Sequence, residues 1–140
     1  ERQAMSPDPE TALAGAVLTR LRADPALKAI LGGRAEVHLD PPAEPVYPMV
    51  TIGRCESRPV AADGDALETA LTLTAVSRFG GAEEARAAAA AVRAALHEAD
   101  LPVPGRRLVN LRVVYLDVFR GADWRSTYGV VRVRAVTEPL

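Results

Sequence analysis

The stretch AVSRFGGAEEARAAAAAVRAAL, residues 75–96, is where the chain comes nearest to a known chemistry. It runs from an expected strand through Gly80-Gly81 into an expected helix, and the free amides at a helix N-terminus can hold a phosphate. The detail points elsewhere. Neither G-x-G-x-x-G nor G-x-x-x-x-G-K-[ST] is present, and Glu83 and Glu84 fall in the first helical turn, where they complement the helix dipole and repel an anion. The glycines therefore read as a tight corner and the glutamates as the helix cap.

The other reactive side chains are few. His38 and His97 are the only histidines, one before a proline-rich segment and one on a polar helix face, without H-E-x-x-H, H-x-H or an acid-His spacing. They read as surface or supporting residues. Cys55 could act as a nucleophile with His97, but a lone cysteine on a half-buried strand is more often a small core residue. A single cysteine excludes an intramolecular disulfide and a thiolate cluster, which suits a reducing compartment. No catalytic, cofactor or metal site is assigned.

Positioning these residues requires both helices and strands. Leu13, Val17, Leu18 and Leu21 form one helical stripe. That helix should start near Asp8 with Pro9 at its first position, and Asp24-Pro25 should start a second short helical piece that Gly32-Gly33 stops. Pro41, Pro42, Pro45 and Pro48 hold the next segment extended, after a short strand at residues 36–39. MVTIGRCES and LETALTLTAVSRF then read as strands, the second with Leu67, Thr69, Leu71, Leu73 and Ala75 on one face. Between them the loop of residues 56–66 is expected to turn at Asp63-Gly64. Residues 82–99 should be an alanine-rich helix striped at Ala85, Ala88, Ala89, Val92, Leu96 and Ala99, followed by a hairpin of RRLVNLRVVYLDVFRG and RSTYGVVRVRAVTE. The fold class is α+β, a mainly antiparallel sheet of four to five strands with two helices packed on one face. Residues 1–8 read as a flexible lead-in, with Met5 as a natural start, and 9–140 as one domain.

Of 140 residues, 49% are hydrophobic and 25% charged, which supports a packed core, and 17 basic against 18 acidic residues give a net charge of −1. That balance does not single out nucleic acid or an anionic membrane as a partner, and no apolar run approaches the about 18 residues of a membrane-spanning helix. The distribution is less even. Residues 101–140 carry seven arginines against three acids, a surplus that would be either one basic face or the solvated side of a sheet. Trp124, the only tryptophan, follows a Gly-Ala-Asp turn, where it would pack back on its own hairpin or meet a partner. The polar 56–66 loop is of the kind that orders on a partner.

The ordered set of Leu13 followed by RLRADPALKAILGGR, then YPMVTIG, LTAVSRFGGAEEARAAAAAVRAAL and GVVRVRAVTEP, spanning Leu13 to Pro139, resembles the tail-completion or tail terminator family of tailed bacteriophages. The Ala- and Arg-rich usage is similar to the version carried by gene transfer agents. The resemblance implies a structural virion protein rather than an enzyme, without cofactors. It implies a homo-hexameric ring at the head-tail junction, assembled in the host cytoplasm, that caps the tail tube protein, ends its polymerisation and meets the head connector. DNA would pass transiently and non-specifically through the ring, and no membrane is involved. Under it, strand edges would join subunits, and the loop and turn residues Arg58, Asp63, Asp65, Arg120, Asp123, Trp124 and Arg125 would face the tube or connector. Arg132 and Arg134 would rim the channel or pair with carboxylates of a neighbouring subunit. A small monomeric or dimeric protein-binding adaptor is the alternative. It shares the exposed loops and differs in subunit count.

Overall fold

Local chemistry starts each helix of the computed structural model, which describes residues 7–61, 64–79 and 81–140. Helix α1 (Pro9–Arg22) begins where the Asp8 carboxylate accepts the Thr11 N–H at 3.0 Å, with Pro9 at the first helical position. Asp24 does the same for α2 (Pro25–Ile30), accepting the Leu27 N–H at 2.9 Å. The break falls where the Asp24-Pro25 pair requires it. The α2 end closes with the Gly33 N–H donating to the Lys28 carbonyl at 2.8 Å, and positive φ at Gly32 and Gly33 makes that reversal inexpensive.

Five strands form one sheet: β1 (Val37–His38), β2 (Met49–Pro59), β3 (Leu67–Ser77), β4 (Arg106–Arg120) and β5 (Thr127–Pro139). Their order is β1-β2-β3-β5-β4, with β1 parallel to β2 and every other pair antiparallel. The mainly antiparallel α+β sheet read from the sequence is the observed fold, with the first helical region divided into α1 and α2. Helix α3 (Gly81–Leu96) carries the chain from β3 across β5 to the edge strand β4.

The core lies between the helices and one face of the sheet. Leu71, Leu73 and Ala75 of β3 and Val131, Val133 and Ala135 of β5 point into it, with Leu13, Val17 and Leu21 of α1 and Ala88, Ala89, Val92 and Leu96 of α3 above. Small residues set the distance. A Cβ added at Gly129 would lie 3.0 Å from the Ala85 carbonyl oxygen and 3.1 Å from the Ala89 Cβ, so α3 rests almost directly on the β5 backbone. Two arginines of α1 fix it to the rest. Arg20 Nε donates to the Ala95 carbonyl at 3.2 Å and Arg22 Nε to the Val37 carbonyl at 2.9 Å.

Some expectations shift. Strand β2 runs to Pro59 rather than ending before a loop at Glu56, because residues 55–59 pair in register with Leu67–Leu71 and Arg58 bonds Glu68 across the strands. The loop is therefore residues 60–66, and its expected Asp63 turn residue lies outside the described residues. Cys55 is exposed, not a core residue, as are all β2 residues from Gly53 to Pro59. Helix α3 stops at Leu96, leaving Ala99 half-buried in the segment that follows. The Met5 start and residues 1–6 of the expected lead-in lie outside the described residues.

Replacing Gly129 with valine should overpack this contact, since neither the α3 backbone nor the β5 ladder can move away. The expected loss is about 1–3 kcal/mol of unfolding free energy, read as a lower urea midpoint with an unchanged slope.

Candidate assembly surfaces

With helices on one face only, the other face of the sheet is left bare, and the register arranges its side chains in rows. One row aligns Glu56, Ala70, Arg134 and Arg112, and the next aligns Thr72, Arg132 and Tyr115. A third, at one end of the sheet, is apolar: Val76, Tyr128 and Phe119 beside the buried Met49, with the Phe119 and Tyr128 ring centroids 5.7 Å apart. Val114 and Tyr115 are also exposed on β4, where the ladder shifts between Val113 and Tyr115. The arginine surplus of the last two strands is thus partly a basic band across this face.

Two of those arginines, Arg132 and Arg134, have partners within the chain. The Arg134 guanidinium lies 3.7 Å from Glu68 Oε2, and Glu68 also holds Arg58 at 2.8 Å. Arg132 sits over the Tyr115 ring at 4.7 Å from its centroid. All are solvent-exposed pairs, each contributing about 0–1 kcal/mol, so they orient the guanidinium groups more than they stabilise the fold.

The two edges of the sheet differ. Strand β1 covers only Val50 and Thr51 of β2, so β2 from Gly53 to Pro59 has an open edge among the described residues. Strand β4 is blocked midway. The Glu98 N–H donates to the Leu111 carbonyl at 2.8 Å, and the Val113 N–H donates to His97 Nδ1 at 3.1 Å. Sequence reading put His97 on a polar helix face. It caps a strand edge instead, a common way of denying that edge to another chain.

The ends of the sheet also differ. At one end the 60–66 loop and β2 carry Asp65 and Arg58, and the Asp65 carbonyl accepts a bond from Arg106 at 3.2 Å. At the other end the structure brings together Arg120, Asp123, Trp124 and Arg125. Asp123 Oδ1 accepts the N–H groups of Arg125 at 3.0 Å and Ser126 at 3.1 Å, and the Gly121 N–H donates to the Ser126 carbonyl at 2.7 Å. Trp124 is 75% exposed with φ 60°, and the Arg120 guanidinium lies 5.5 Å from its ring centroid. Three residues that sequence reading missed complete this end. Phe79 is 89% exposed just after β3, and Arg78 reaches Asp123 Oδ2 at 4.0 Å, bonds Ser126 Oγ at 3.4 Å, and lies 5.1 Å from the Tyr47 ring centroid. Their separation in the chain, from 47 to 126, left no periodic signal.

The residues singled out for reactivity do not converge. Gly81 has positive φ at the start of α3, Gly80 lies outside the described residues, and Glu84 accepts a bond from Ser77 Oγ at 2.6 Å, placing its carboxylate in the first turn. His38 is bonded to Glu36 at 3.0 Å. The Cys55 thiol has its pKa raised by partial desolvation and then by the carboxylates of Glu10, Asp8 and Glu56, the opposite of what a nucleophilic thiolate needs. A groove of about 650 Å3 between α1 and residues 100–104 is lined by Ala12, Gly15, Ala16, Leu101 and Pro102 among others. Its guanidinium, that of Arg20, already serves the Ala95 carbonyl.

A bare sheet face, incompletely covered edges and two unlike ends are surfaces of the kind an assembly component presents. The family model described as Tail completion protein gp17 matches residues 15–138, and the chain belongs to that family, whose members are structural virion proteins rather than a class of enzymes. A chain from the solved virion of a native gene transfer agent particle shares the fold at a TM-score of 0.85 and 28% identity, covering 94% of this chain and 98% of that one. No curated protein matches the chain.

The Asp123 carboxyl is held below its ordinary value of 3.8, first by the backbone N–H groups of Arg125 and Ser126, with Arg78 and Arg125 adding charge. A depressed carboxylate supports the turn above 3.8, and that support is lost as pH falls through the lower folded value. An NMR titration of the Asp123 carboxyl carbon should therefore place its midpoint below 3.8. A midpoint at or above it would mean the two amide bonds do not form in solution.

Proposed function

We propose that the chain is a tail terminator of a phage-like particle of the gene transfer agent kind. Six copies would close into a ring at the head-tail junction, end growth of the tail tube and present a surface to the head connector. The observation that carries the reading is the match to a gene transfer agent virion chain over 94% of this chain, joined to membership of the tail completion family. Assembly would take place in the host cytoplasm, and the finished protein would reside in the particle.

The geometry supports a division of labour on this ring. Copies would join through strand edges, using the open edge of β2 from Gly53 to Ser57 and the part of β4 beyond its His97 cap, Tyr115 to Phe119. Such contacts are heterologous, and a heterologous contact closes into a ring only if its rotation divides the circle. The ends of the sheet would then be the axial faces toward tube and connector, one bearing Arg58 and Asp65 with Asp63 in the intervening loop, the other bearing Arg120, Asp123, Trp124 and Arg125. Arg132 and Arg134, at mid-height on the bare face, would rim the channel. Their intrachain ties to Tyr115 and Glu68 suit weak, non-specific contact with DNA that must slide.

Light scattering on the purified protein should give the mass of six copies, and negative-stain images should show closed rings. A monomer or dimer that also fails to co-assemble with the tail tube protein would sink this reading and favour the adaptor alternative, which uses the same exposed loops.

A further inference from the structure

Chain segments around residues 47, 78 and 120–126 meet where β3 leaves the sheet and β5 enters it. Two of the most exposed large apolar side chains of the molecule, Phe79 and Trp124, stand there. An aromatic side chain left in water forgoes the free energy of burial, so two at one end of a sheet suggest a surface that something covers. Trp124 is also held in the left-handed region, an arrangement that persists in a non-glycine residue only where the surroundings enforce it.

We propose that this end is a docking face for an acidic protein surface that offers apolar sockets to Phe79 and Trp124, separate from the strand edges through which copies would join. It deepens the tail-terminator reading by choosing one axial end and stating the chemistry of the component stacked on it. The scaffold is rigid before any partner arrives. The two amide bonds to Asp123, the Gly121 to Ser126 bond and the Arg78 contacts to Asp123 and Ser126 fix the turn from three sides, so little ordering remains to be done on docking. Gly121 is part of this, since an added Cβ would lie 2.7 Å from the Tyr128 ring and 3.2 Å from the Ser126 carbonyl oxygen.

Charge selects the class of partner. Arg78 reaches Asp123, whereas the exposed guanidinium groups of Arg120 and Arg125 have no carboxylate within 4.0 Å among the described residues, and an acidic surface would match them. Tryptophan, phenylalanine, tyrosine and arginine clustered around a centre are also the residues that dominate protein interfaces. Nucleic acid fits less well. One side of the Trp124 ring carries the Arg120 guanidinium, which competes with base stacking, and Arg78 is engaged by Asp123, Ser126 and Tyr47 rather than free for phosphate.

Because Trp124 is the only tryptophan, protein grown with 5-fluorotryptophan gives a single fluorine NMR resonance that reports on this face alone. That resonance should be unchanged when copies assemble, and should shift or broaden when purified tail tubes or purified connector of the same particle are added. Binding measured by co-sedimentation should weaken about 30-fold or more in a Phe79→Ser, Trp124→Ser double variant. A second variant, Arg120→Glu with Arg125→Glu, should lose binding similarly while keeping wild-type melting and oligomeric state. The proposal is overturned if wild type binds a component and both variants bind it equally well. It is overturned too if the resonance shifts on self-assembly alone, or responds to a DNA oligonucleotide and not to either protein. Wild type that binds neither component overturns the tail-terminator reading itself, a result distinct from equal binding by the variants.

Discussion

The fold depends on how closely α3 can lie on β5. Its contact face is built from Ala85, Ala88 and Ala89, and the strand beneath offers Gly129, so helix and sheet backbones approach to the limit of their van der Waals surfaces. From that contact the rest follows. With α3 seated over β5, the chain can leave β3, cross its neighbour and return as the edge strand β4, which sets the two hairpins side by side in one sheet. The same seating brings the end of α3 beside β4, where His97 and the Glu98 N–H meet the Leu111 and Val113 backbone. A bulkier helix face would stand off the sheet and weaken both the core and the edge cap.

What the core gains, the opposite face gives up. A domain of two layers covers only one side of its sheet, and here the uncovered side runs from a polar, ion-paired half to an aromatic end. The polar half is stable in water by itself. The aromatic end is not, and its neighbours reinforce the difference: the turn at residues 121–126 spends its hydrogen bonds on holding Trp124 outward rather than folding it over the hairpin. Ring assembly and axial docking would then draw on different parts of the molecule, edges for one and an end for the other.

How much of this could be read from sequence depended on how local each signal is. Asp8-Pro9 and Asp24-Pro25 announce their helices because a cap acts within three residues, and the alternation of Leu71, Leu73 and Ala75 announces a strand because one face is buried. Residues 56–59 lost that signal. They are paired but exposed on both faces, so polarity there meant an uncovered strand and not a loop. Trp124 could be noticed because a lone tryptophan beside a turn is unusual. Phe79, Arg78 and Tyr47 could not, because only the crossing of α3 and the β3–β5 register bring residues so far apart to one end of the sheet. His97 is similar: it stands just past the end of α3, and its ring bonds a strand that begins nine residues later.

The edge cap has a geometric consequence. The open stretch of β2 lies beside the Pro59 and Leu67 end of the sheet, whereas the stretch of β4 beyond the His97 cap lies beside Arg120 and Thr127, at the opposite end. Copies joined strand to strand through these stretches could not sit level. Each would be offset along the strand direction from the one before, in the same sense every time, as strands are in a barrel whose closure demands a shear. A level row of such copies would be left with unmatched edges, and it is the repeated offset that allows tilted sheets to meet around an axis.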